Sequence, residues 1–511
     1  MTALMIVVTA GMLLLGWVIM RRIDCFTDRS GFPAETDRPE NWDDPSPERR
    51  SREERRERLG ERLRTGAARI GGKTPATRII TVGFAAIILV GALLLCLPAA
   101  SRGGEPISFL NALFTATSAT CVTGLAAFDT WSRFTLFGQV VILALIQIGG
   151  LGFMAVAIMF SLFLGRRIGL RERSLLAEAL STDQIGGVVR LVRRMLIGTA
   201  VFELGGAVLL AFRFVPMFGP ARGAWYALFH SVSAFCNAGF DLMGCIQPNA
   251  SLTMFSDDAL VTLTIASLIA VGGIGFVVWN DLAECGLHWH KTRLHTRVAL
   301  LSTGALIAGG AVLFYLLERS ASMKGMGVGE AVLCSIFQSV TPRTAGYATV
   351  DNATLSGGGK LLTMFLMFVG ACPGGTGGGV KTTTFVVAMA AVIASSRGHE
   401  DTTAGHYRLE PELLRRAFTA MIVYAGMALA GMMILCVEGA SVEQSAFECL
   451  SAIGTVGLTL GITQTLPALS KIILILLMFA GRVGSLTVFL AVNRARGDTR
   501  LREPVGNLII G

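Results

Sequence analysis

Apolar residues occur in long runs that are separated by short polar segments. Eight long runs recur after residue 78, at roughly 79–99, 134–163, 195–217, 258–284, 298–317, 359–396, 413–437 and 468–493. A helix needs about 20 such residues to cross the hydrocarbon core of a bilayer. Shorter stretches, too short to cross, lie near 108–125, 223–240, 329–347 and 443–458. The order is long, short, long, four times over, and it predicts an all-α polytopic membrane protein.

The first 78 residues follow a different pattern. An apolar segment, 3–20, is followed directly by Arg21 and Arg22. A signal peptide carries its basic residues before the apolar core, so the order here favours an uncleaved N-terminal helix over 1–22 with its N-terminus outside. Residues 23–78 are polar and predict a cytoplasmic arm.

Composition and charge agree with a membrane protein. The chain is 52% hydrophobic and 15% charged, whereas ordinary soluble domains carry about 25% charged residues, which argues against a soluble enzyme. The basic residues gather in alternate loops, at 166–194, 291–297, 397–416 and 494–502, whereas the loop 241–258 has none. Basic loops face the cytoplasm, so we expect the C-terminus inside and the short stretches open to the outside. The net charge of +9 therefore reflects topology and not nucleic-acid binding.

The four short stretches align without a gap. They read LFTATSATCVTGL (113–125), LFHSVSAFCNAGF (228–240), SIFQSVTPRTAGY (335–347) and AFECLSAIGTVGL (446–458). Glycine stands at the penultimate position of all four, with successive separations of 115, 107 and 111 residues. A second motif recurs in the long run that follows each short stretch, as IGGLGF (148–153), VGGIGF (271–276), PGGTGG (373–378) or AGRVGS (480–485). We therefore predict four helix–re-entrant loop–helix repeats over 79–165, 190–285, 297–396 and 412–495, and a cytoplasmic tail over 496–511.

The repeat suggests a pore. Non-helical backbone at membrane depth is tolerated only where it is buried in protein or lines a water-filled cavity. Glycine lets a backbone approach a ligand closely, and rings of carbonyls can replace the hydration shell of K⁺. Small-residue helix contacts would explain glycines on the long helices, but not a fourfold register in the short ones. The predicted potassium-binding filter consists of Val122, Thr123, Gly124, Asn237, Ala238, Gly239, Thr344, Ala345, Gly346, Thr455, Val456 and Gly457.

A glycine-rich break interrupts the third repeat at 373–384, PGGTGGGVKTTT. A phosphate-binding loop needs glycine directly before its lysine, but Val380 precedes Lys381. We expect instead an unwound loop that occludes the pore below the filter, with a kink that has no gating role as the alternative. The predicted gate residues are Gly374, Gly375, Thr376, Gly377, Gly378, Gly379, Lys381 and Arg482.

Four charged residues lie in apolar surroundings. Arg482 takes the place of a second glycine in the fourth repeat. A charge at this depth usually faces a water-filled path, so we expect a barrier to cations that also holds the gate loop; capping of loop carbonyls alone is the alternative. Arg343 and Glu448 break the repeat near the third and fourth filter glycines, and we predict that they pair and brace the filter. Glu203 has no predicted partner.

These motifs resemble the membrane subunits of the Trk/Ktr/HKT superfamily of potassium transporters. TPRTAGY, SAIGTVGLTLG and ACPGGTGGGVKTTTF (371–385) carry the resemblance, which covers 79–511 and is strongest to the bacterial Ktr type. It implies four M1–P–M2 repeats around a central pore, a homodimer, a gating intramembrane loop and a cytosolic nucleotide-binding regulatory ring. Plant relatives that pass sodium carry serine at the first filter glycine, so Gly124 implies potassium. The superfamily members of Ktr type lack an equivalent of residues 1–78.

The resulting hypothesis is potassium uptake across the bacterial cytoplasmic membrane. No cofactor is expected in this chain, and Na⁺ is a candidate coupling or activating ion. The alternatives are a multispan membrane enzyme or an organic-solute carrier, which would require ionisable side chains clustered at mid-membrane, and a non-conducting structural subunit.

Overall fold

The computed structural model describes residues 76–152, 188–286, 288–399, 401–405 and 407–484. Our predictions for the N-terminal helix, for nearly all of the polar arm and for the C-terminal tail lie outside the described residues.

The first two repeats have the predicted long–short–long order. Repeat 1 contains α1 (Ala76–Cys96), α2 (Phe109–Thr120), the single turn α3 (Thr130–Arg133) and α4 (Leu136–Leu151). Repeat 2 contains α5 (Val188–Phe218), α6 (Pro220–Phe235), α7 (Ala259–Ile274) and α8 (Phe276–Cys285). In each repeat the short helix, α2 or α6, lies between the two long elements in the chain.

The other two repeats continue the same order. Repeat 3 contains α9 (Leu294–Glu318), α10 (Val328–Val340), α11 (Gly357–Val369) and α12 (Thr382–Ser396). Repeat 4 contains α13 (Pro411–Val437), α14 (Val442–Gly454) and α15 (Ala468–Val483). Between them lies a small antiparallel hairpin of β1 (Thr403–Ala404) and β2 (Tyr407–Arg408). The predicted all-α architecture is confirmed.

The first helix of every repeat is long and apolar enough to cross a bilayer. The four candidate spans are Ile79–Cys96, Leu191–Phe218, Leu294–Glu318 and Pro411–Val437. They leave large apolar side chains exposed, including Leu89, Phe212 and Ile422 at 50%, 69% and 69%. Lipid tails are the natural neighbours of such a surface.

The second long element of every repeat ends or bends at a glycine with positive φ. These glycines are Gly152 (81°), Gly275 (103°), Gly370 (63°) and Gly484 (95°). At Gly275 the chain turns by 89° between α7 and α8. Side chains with a Cβ atom adopt such φ values at a cost, whereas glycine does not. The predicted runs 258–284 and 359–396 are therefore not continuous helices, and PGGTGG lies in a loop, which agrees with the break expected at 373–384.

The short helices form the centre of the molecule. Phe114, Phe229 and Phe447, which share one position of the repeat, are completely buried. The apolar side chains around the short helices thus belong to the protein core, whereas those on the first helices face outward.

Two carboxylates, a buried one in repeat 3 and a partly exposed one in repeat 4, join the first and second long helices of their repeats. Glu318 ends α9 and accepts the Ser356 backbone N–H at 3.1 Å, beside the N-terminus of α11. Glu438 follows α13 and accepts the Ser470 N–H at 2.9 Å, in the first turn of α15. Negative groups stabilise helix N-termini, so both contacts hold the outer ends of the helix pair together.

Candidate functional site: a four-sided filter above a glycine-rich loop

The backbone after each short helix has the same conformation in all four repeats. The residue two places before each filter glycine lies in the left-handed region: Val122 (φ 57°), Asn237 (61°), Thr344 (77°) and Thr455 (51°). The glycines themselves follow at 95°, 69°, 84° and 91°. Non-glycine residues adopt this region at a cost of about 1–3 kcal/mol and cluster at functional sites. Because this costly conformation recurs at the same position of every repeat, the four segments are best interpreted as parts of one site.

The four glycines meet in a closed ring. A Cβ atom added to Gly124 would lie 2.6 Å from the Ala238 carbonyl oxygen, and one on Gly239 would lie 2.6 Å from that of Ala345. One on Gly346 would lie 2.5 Å from the Val456 oxygen, and one on Gly457 would collide with the Thr123 carbonyl. Each repeat therefore abuts the next in the order 1, 2, 3, 4 and back to 1. Only glycine fits these four positions.

Hydroxyl groups on the short helices hold the ring in two different ways. In repeats 1 and 4 a serine accepts the glycine N–H: Gly124 N donates to Ser118 and Gly457 N to Ser451, both at 3.0 Å. In repeats 2 and 3 a hydroxyl donates to the carbonyl after the glycine, from Ser233 to Phe240 at 2.8 Å and from Thr341 to Tyr347 at 2.5 Å.

The sequence alignment did not predict the contact in repeat 3. The aligned position in repeat 3 is Val340, which has no hydroxyl, and the neighbouring Thr341 takes the role. A polar residue one place out of register was the available signal.

The glycine-rich loop lies directly against the first filter residues. The Gly378 N–H donates to the Thr455 hydroxyl at 3.0 Å, and Gly377 packs on the Thr344 hydroxyl so closely that a Cβ atom there would overlap it. The loop also donates from Thr376 N to the Gly272 carbonyl at 3.2 Å. Lys381 closes the loop on itself, with Nζ 2.6 Å from the Gly377 oxygen. The predicted gate residues thus meet the filter at the end where the short helices stop.

Arg482 joins three repeats beneath the filter. Its guanidinium donates to the Thr376 carbonyl of the loop and to the carbonyls of Gly149 and Gly150, the latter at 3.0 Å. The side chain therefore links α15 of repeat 4 to α4 of repeat 1 and to the loop of repeat 3. Carbonyl oxygens accept all three bonds, so none of these partners neutralises the positive charge of the guanidinium.

The predicted pair between Arg343 and Glu448 is wrong. Glu448 is completely buried and accepts from Thr459, from the Thr463 hydroxyl at 2.9 Å and from the Leu460 N–H at 3.3 Å. From its place on α14 the carboxylate reaches the segment after its own filter glycine, whose donors satisfy it.

Arg343 instead donates from Nη2 to the Thr303 hydroxyl of α9 at 3.2 Å. It lines a small pocket between repeats 2 and 3 together with Ile269, Val340 and Ala371. Arg343 and Glu448 therefore each form their hydrogen bonds within their own repeat.

Glu203 has a partner that sequence reasoning missed. Gln147 of α4 donates from Nε2 to the Glu203 carboxylate at 3.1 Å. The carboxylate is 7% exposed, and the Cys236 thiol lies 3.8 Å away. A glutamine within the apolar run of α4 was the signal for this contact.

Known proteins resemble this chain along most of its length. The family model described as TrkH, cation transport protein, matches residues 76–496. The potassium/sodium uptake protein NtpJ of Enterococcus hirae is 38% identical over 454 residues, which cover 87% of this chain and 99% of the relative. The Ktr system potassium uptake protein B of Bacillus subtilis is 39% identical over 437 residues, covering 85% and 96%.

A solved structure has the same fold. The crystal structure of the potassium transporter TrkH from Vibrio parahaemolyticus superimposes with a TM-score of 0.66 at 19% identity, covering 83% of this chain and 86% of that one. Together with the extent of the family match, this leads to one conclusion: the chain belongs to the TrkH family of cation transport proteins.

Proposed function

We propose that this protein takes up potassium across the bacterial cytoplasmic membrane through the ring of carbonyls at Gly124, Gly239, Gly346 and Gly457. The observation that carries the proposal is the ring of contacts in which each glycine packs against a carbonyl oxygen of the next repeat. Carbonyl oxygens held in a ring replace the water of a dehydrated K⁺ ion. Glycine at the first filter position and the potassium-uptake names of the relatives support potassium as the cargo.

The driving force is electrical. One elementary charge that moves through 100 mV releases about 2.3 kcal/mol, so no chemical step in this chain is required. Na⁺ remains a candidate coupling or activating ion, in keeping with the name of the Enterococcus relative.

The loop that contains Gly377 and Gly378 is the gate. It blocks the inner end of the filter because it bonds to Thr455 and packs on Thr344. Arg482 stabilises this closed position through the Thr376 carbonyl and places a positive charge on the ion path. Opening requires the loop to leave these partners.

The filter opens to the outside and the basic loops and the C-terminus face the cytoplasm, as the distribution of Lys and Arg requires. The functional unit is a homodimer on which a cytosolic nucleotide-binding regulatory ring docks. The membrane-enzyme, organic-solute-carrier and structural-subunit alternatives gain nothing from membership of a cation transport family.

Complementation of potassium-uptake-deficient bacteria tests the proposal. The wild-type protein should restore growth at low external K⁺, whereas Gly124→Ser and Gly457→Ser should weaken the preference for K⁺ over Na⁺ because a side chain collides with the neighbouring repeat. Gly309→Ser on α9 is the matched control, since a Cβ atom there meets nothing within 4 Å. Failure of the wild-type protein to rescue, or unchanged selectivity in both filter variants, would contradict the proposal.

A further inference from the structure

The segment 241–258, which follows the second filter, is longer than the corresponding segments of the other three repeats, 126–135, 348–356 and 459–467. We call it the outer strap. It contains the short 3₁₀ turns Met243–Cys245 and Thr253–Phe255, and between them Asn249 and Ser251 have positive φ values of 61° and 50°. The chain thus bends sharply at the middle of the strap.

The middle of the strap contacts all three other repeats. In repeat 1 the Asn249 N–H points at the Asp129 carboxylate, 3.4 Å away. In repeat 4 Gln464 donates from Nε2 to Asn249 Oδ1 at 2.7 Å.

The remaining contacts are with repeat 3. The Ala348 N–H donates to the Ser251 hydroxyl at 3.1 Å, and the Leu252 N–H donates to the Ala348 carbonyl at 3.0 Å. All three partner positions follow a filter glycine in the chain, so the contacts lie on the outer side of the filter.

These contacts place the strap across the pore axis. In the closed ring, repeats 1 and 3 stand opposite each other, as do repeats 2 and 4. Residues 249 and 251 are separated by two Cα steps, at most about 7.6 Å, yet they contact the opposed repeats 1 and 3. A path around the outside of the ring is too long for two residues. The strap of repeat 2 therefore passes over the outer mouth, and the bond between Asn249 and Gln464 joins two opposed sides.

We propose that the outer strap is a size-selecting constriction in front of the filter, with Asn249 and Gln464 as its specificity-determining residues. The inference rests on the proposed function. Small inorganic cations pass beside the strap, whereas organic ammonium ions are held away from the filter. The selection is by size because the strap carries no Lys or Arg, while Asp241 and Asp257 make it attractive to any cation.

Inhibition of K⁺ uptake by external tetraethylammonium tests the constriction. Gln464→Ala removes the donor of the bridging bond and Asn249→Gly removes its acceptor. Glycine keeps the positive φ of residue 249 without strain. Loss of one neutral hydrogen bond changes a population by roughly threefold to tenfold, so we expect the half-inhibitory concentration to fall by that factor in both variants. Asn249→Asp retains an acceptor for Gln464 and should behave as the wild type.

The possible outcomes separate this inference from the proposed function. Both side chains are exposed, so K⁺ uptake without inhibitor should persist in all three variants and serves as the measure of folding. Normal uptake with unchanged tetraethylammonium sensitivity in both Gln464→Ala and Asn249→Gly overturns the constriction. Absence of K⁺ uptake by the wild-type protein overturns the proposed function instead.

Discussion

Tyr347 is the only one of the four residues after the filter glycines that carries a hydroxyl; the others are Leu125, Phe240 and Leu458. It is completely buried, and its hydroxyl donates to the Phe240 carbonyl of repeat 2 at 2.9 Å. That carbonyl also accepts from Ser233. Two donors from different repeats therefore fix its orientation at the outer edge of the filter.

We expect Tyr347→Phe to reduce the K⁺ over Na⁺ selectivity of uptake. The variant keeps the ring and loses one hydrogen bond, which is worth about 1 kcal/mol or roughly fivefold. The measurement is the ratio of K⁺ to Na⁺ uptake. Tyr226→Phe is the matched control because its hydroxyl accepts from Trp131 Nε1 at 2.7 Å and does not contact a filter carbonyl. Equal ratios in wild type and Tyr347→Phe would rule out the positioning role.

We expect Asp241 to make uptake dependent on external pH. Burial, and then the negative charge of Asp129, raise the pKa of Asp241 to about 7. Cys245 and Tyr347 also face it. Because this pKa is raised, the carboxyl is neutral below about pH 7 and charged above it; the stability that protonation brings is lost as the pH rises through that value.

The charged form attracts cations to the outer mouth. The KM for K⁺ should therefore increase as the external pH falls from 8 to 5.5, and Asp241→Asn should show the high KM throughout that range. Uptake kinetics at several pH values in both proteins provide the check. A pH-independent KM in the wild-type protein would contradict this prediction.

At the scale of elements, the gate loop illustrates what sequence can and cannot predict. The glycine run at 374–379 predicted a break in the second long segment of repeat 3, and α11 does end there, at Val369. The partners of the loop depend on the other repeats, which bring Thr455 and Gly272 to it from distant parts of the chain. No local pattern contains that information.

Charges were harder to pair than glycines were to align. The alignment of the four repeats predicted that Gly124 and Gly457 occupy equivalent positions, because every repeat needs a residue with positive φ there. Arg343 and Glu448 have no equivalent in the other repeats, so the alignment does not predict which groups their side chains contact. The carboxylate of Glu448 found donors in the loop after its own filter, at Leu460 and Thr463, and a carboxylate satisfied nearby does not need a distant arginine.

Arg482→Gln should raise K⁺ flux through the unstimulated protein. The substitution removes the positive charge beneath the proposed filter and the bonds to the carbonyls of Thr376, Gly149 and Gly150. Uptake measured without the regulatory partner should increase severalfold. Arg319→Gln is the matched control, since Arg319 also donates to backbone carbonyls, those of Met323 and Met326, but near the end of α9. Identical basal flux in Arg482→Gln and wild type would remove the gating role.

At the scale of the whole molecule, repeats from the two ends of the fold close the ring. Gly457 of repeat 4 abuts Thr123 of repeat 1, and Lys471 of α15 donates to Asn111 of α2 at 3.0 Å. An ion bound at the centre of the proposed filter would contact all four repeats at once. Its binding energy would therefore stabilise the entire fold and not a single repeat.

Potassium should accordingly raise the thermal stability of the purified protein. A ligand at 100 times its Kd adds about 2.7 kcal/mol to the free energy of unfolding. The melting temperature in KCl should exceed that in N-methylglucamine chloride of equal ionic strength, and the difference should shrink in Gly124→Ser. Equal melting temperatures of the wild-type protein in the two salts would argue against ion binding by the ring.

The position of Arg482, which is not repeated at the aligned positions Gly150, Gly273 and Gly375, has a consequence for ancestry and design. Were the same conduit assembled from four identical subunits, a residue at the place of Arg482 would be present four times, and four like charges would crowd together and repel one another. Because the four repeats are joined in one polypeptide, repeat 4 alone can carry the arginine and repeat 3 alone can carry the glycine-rich loop. The covalent linkage of the repeats thus permits an asymmetric contact, between Arg482 and Thr376, within a nearly fourfold arrangement.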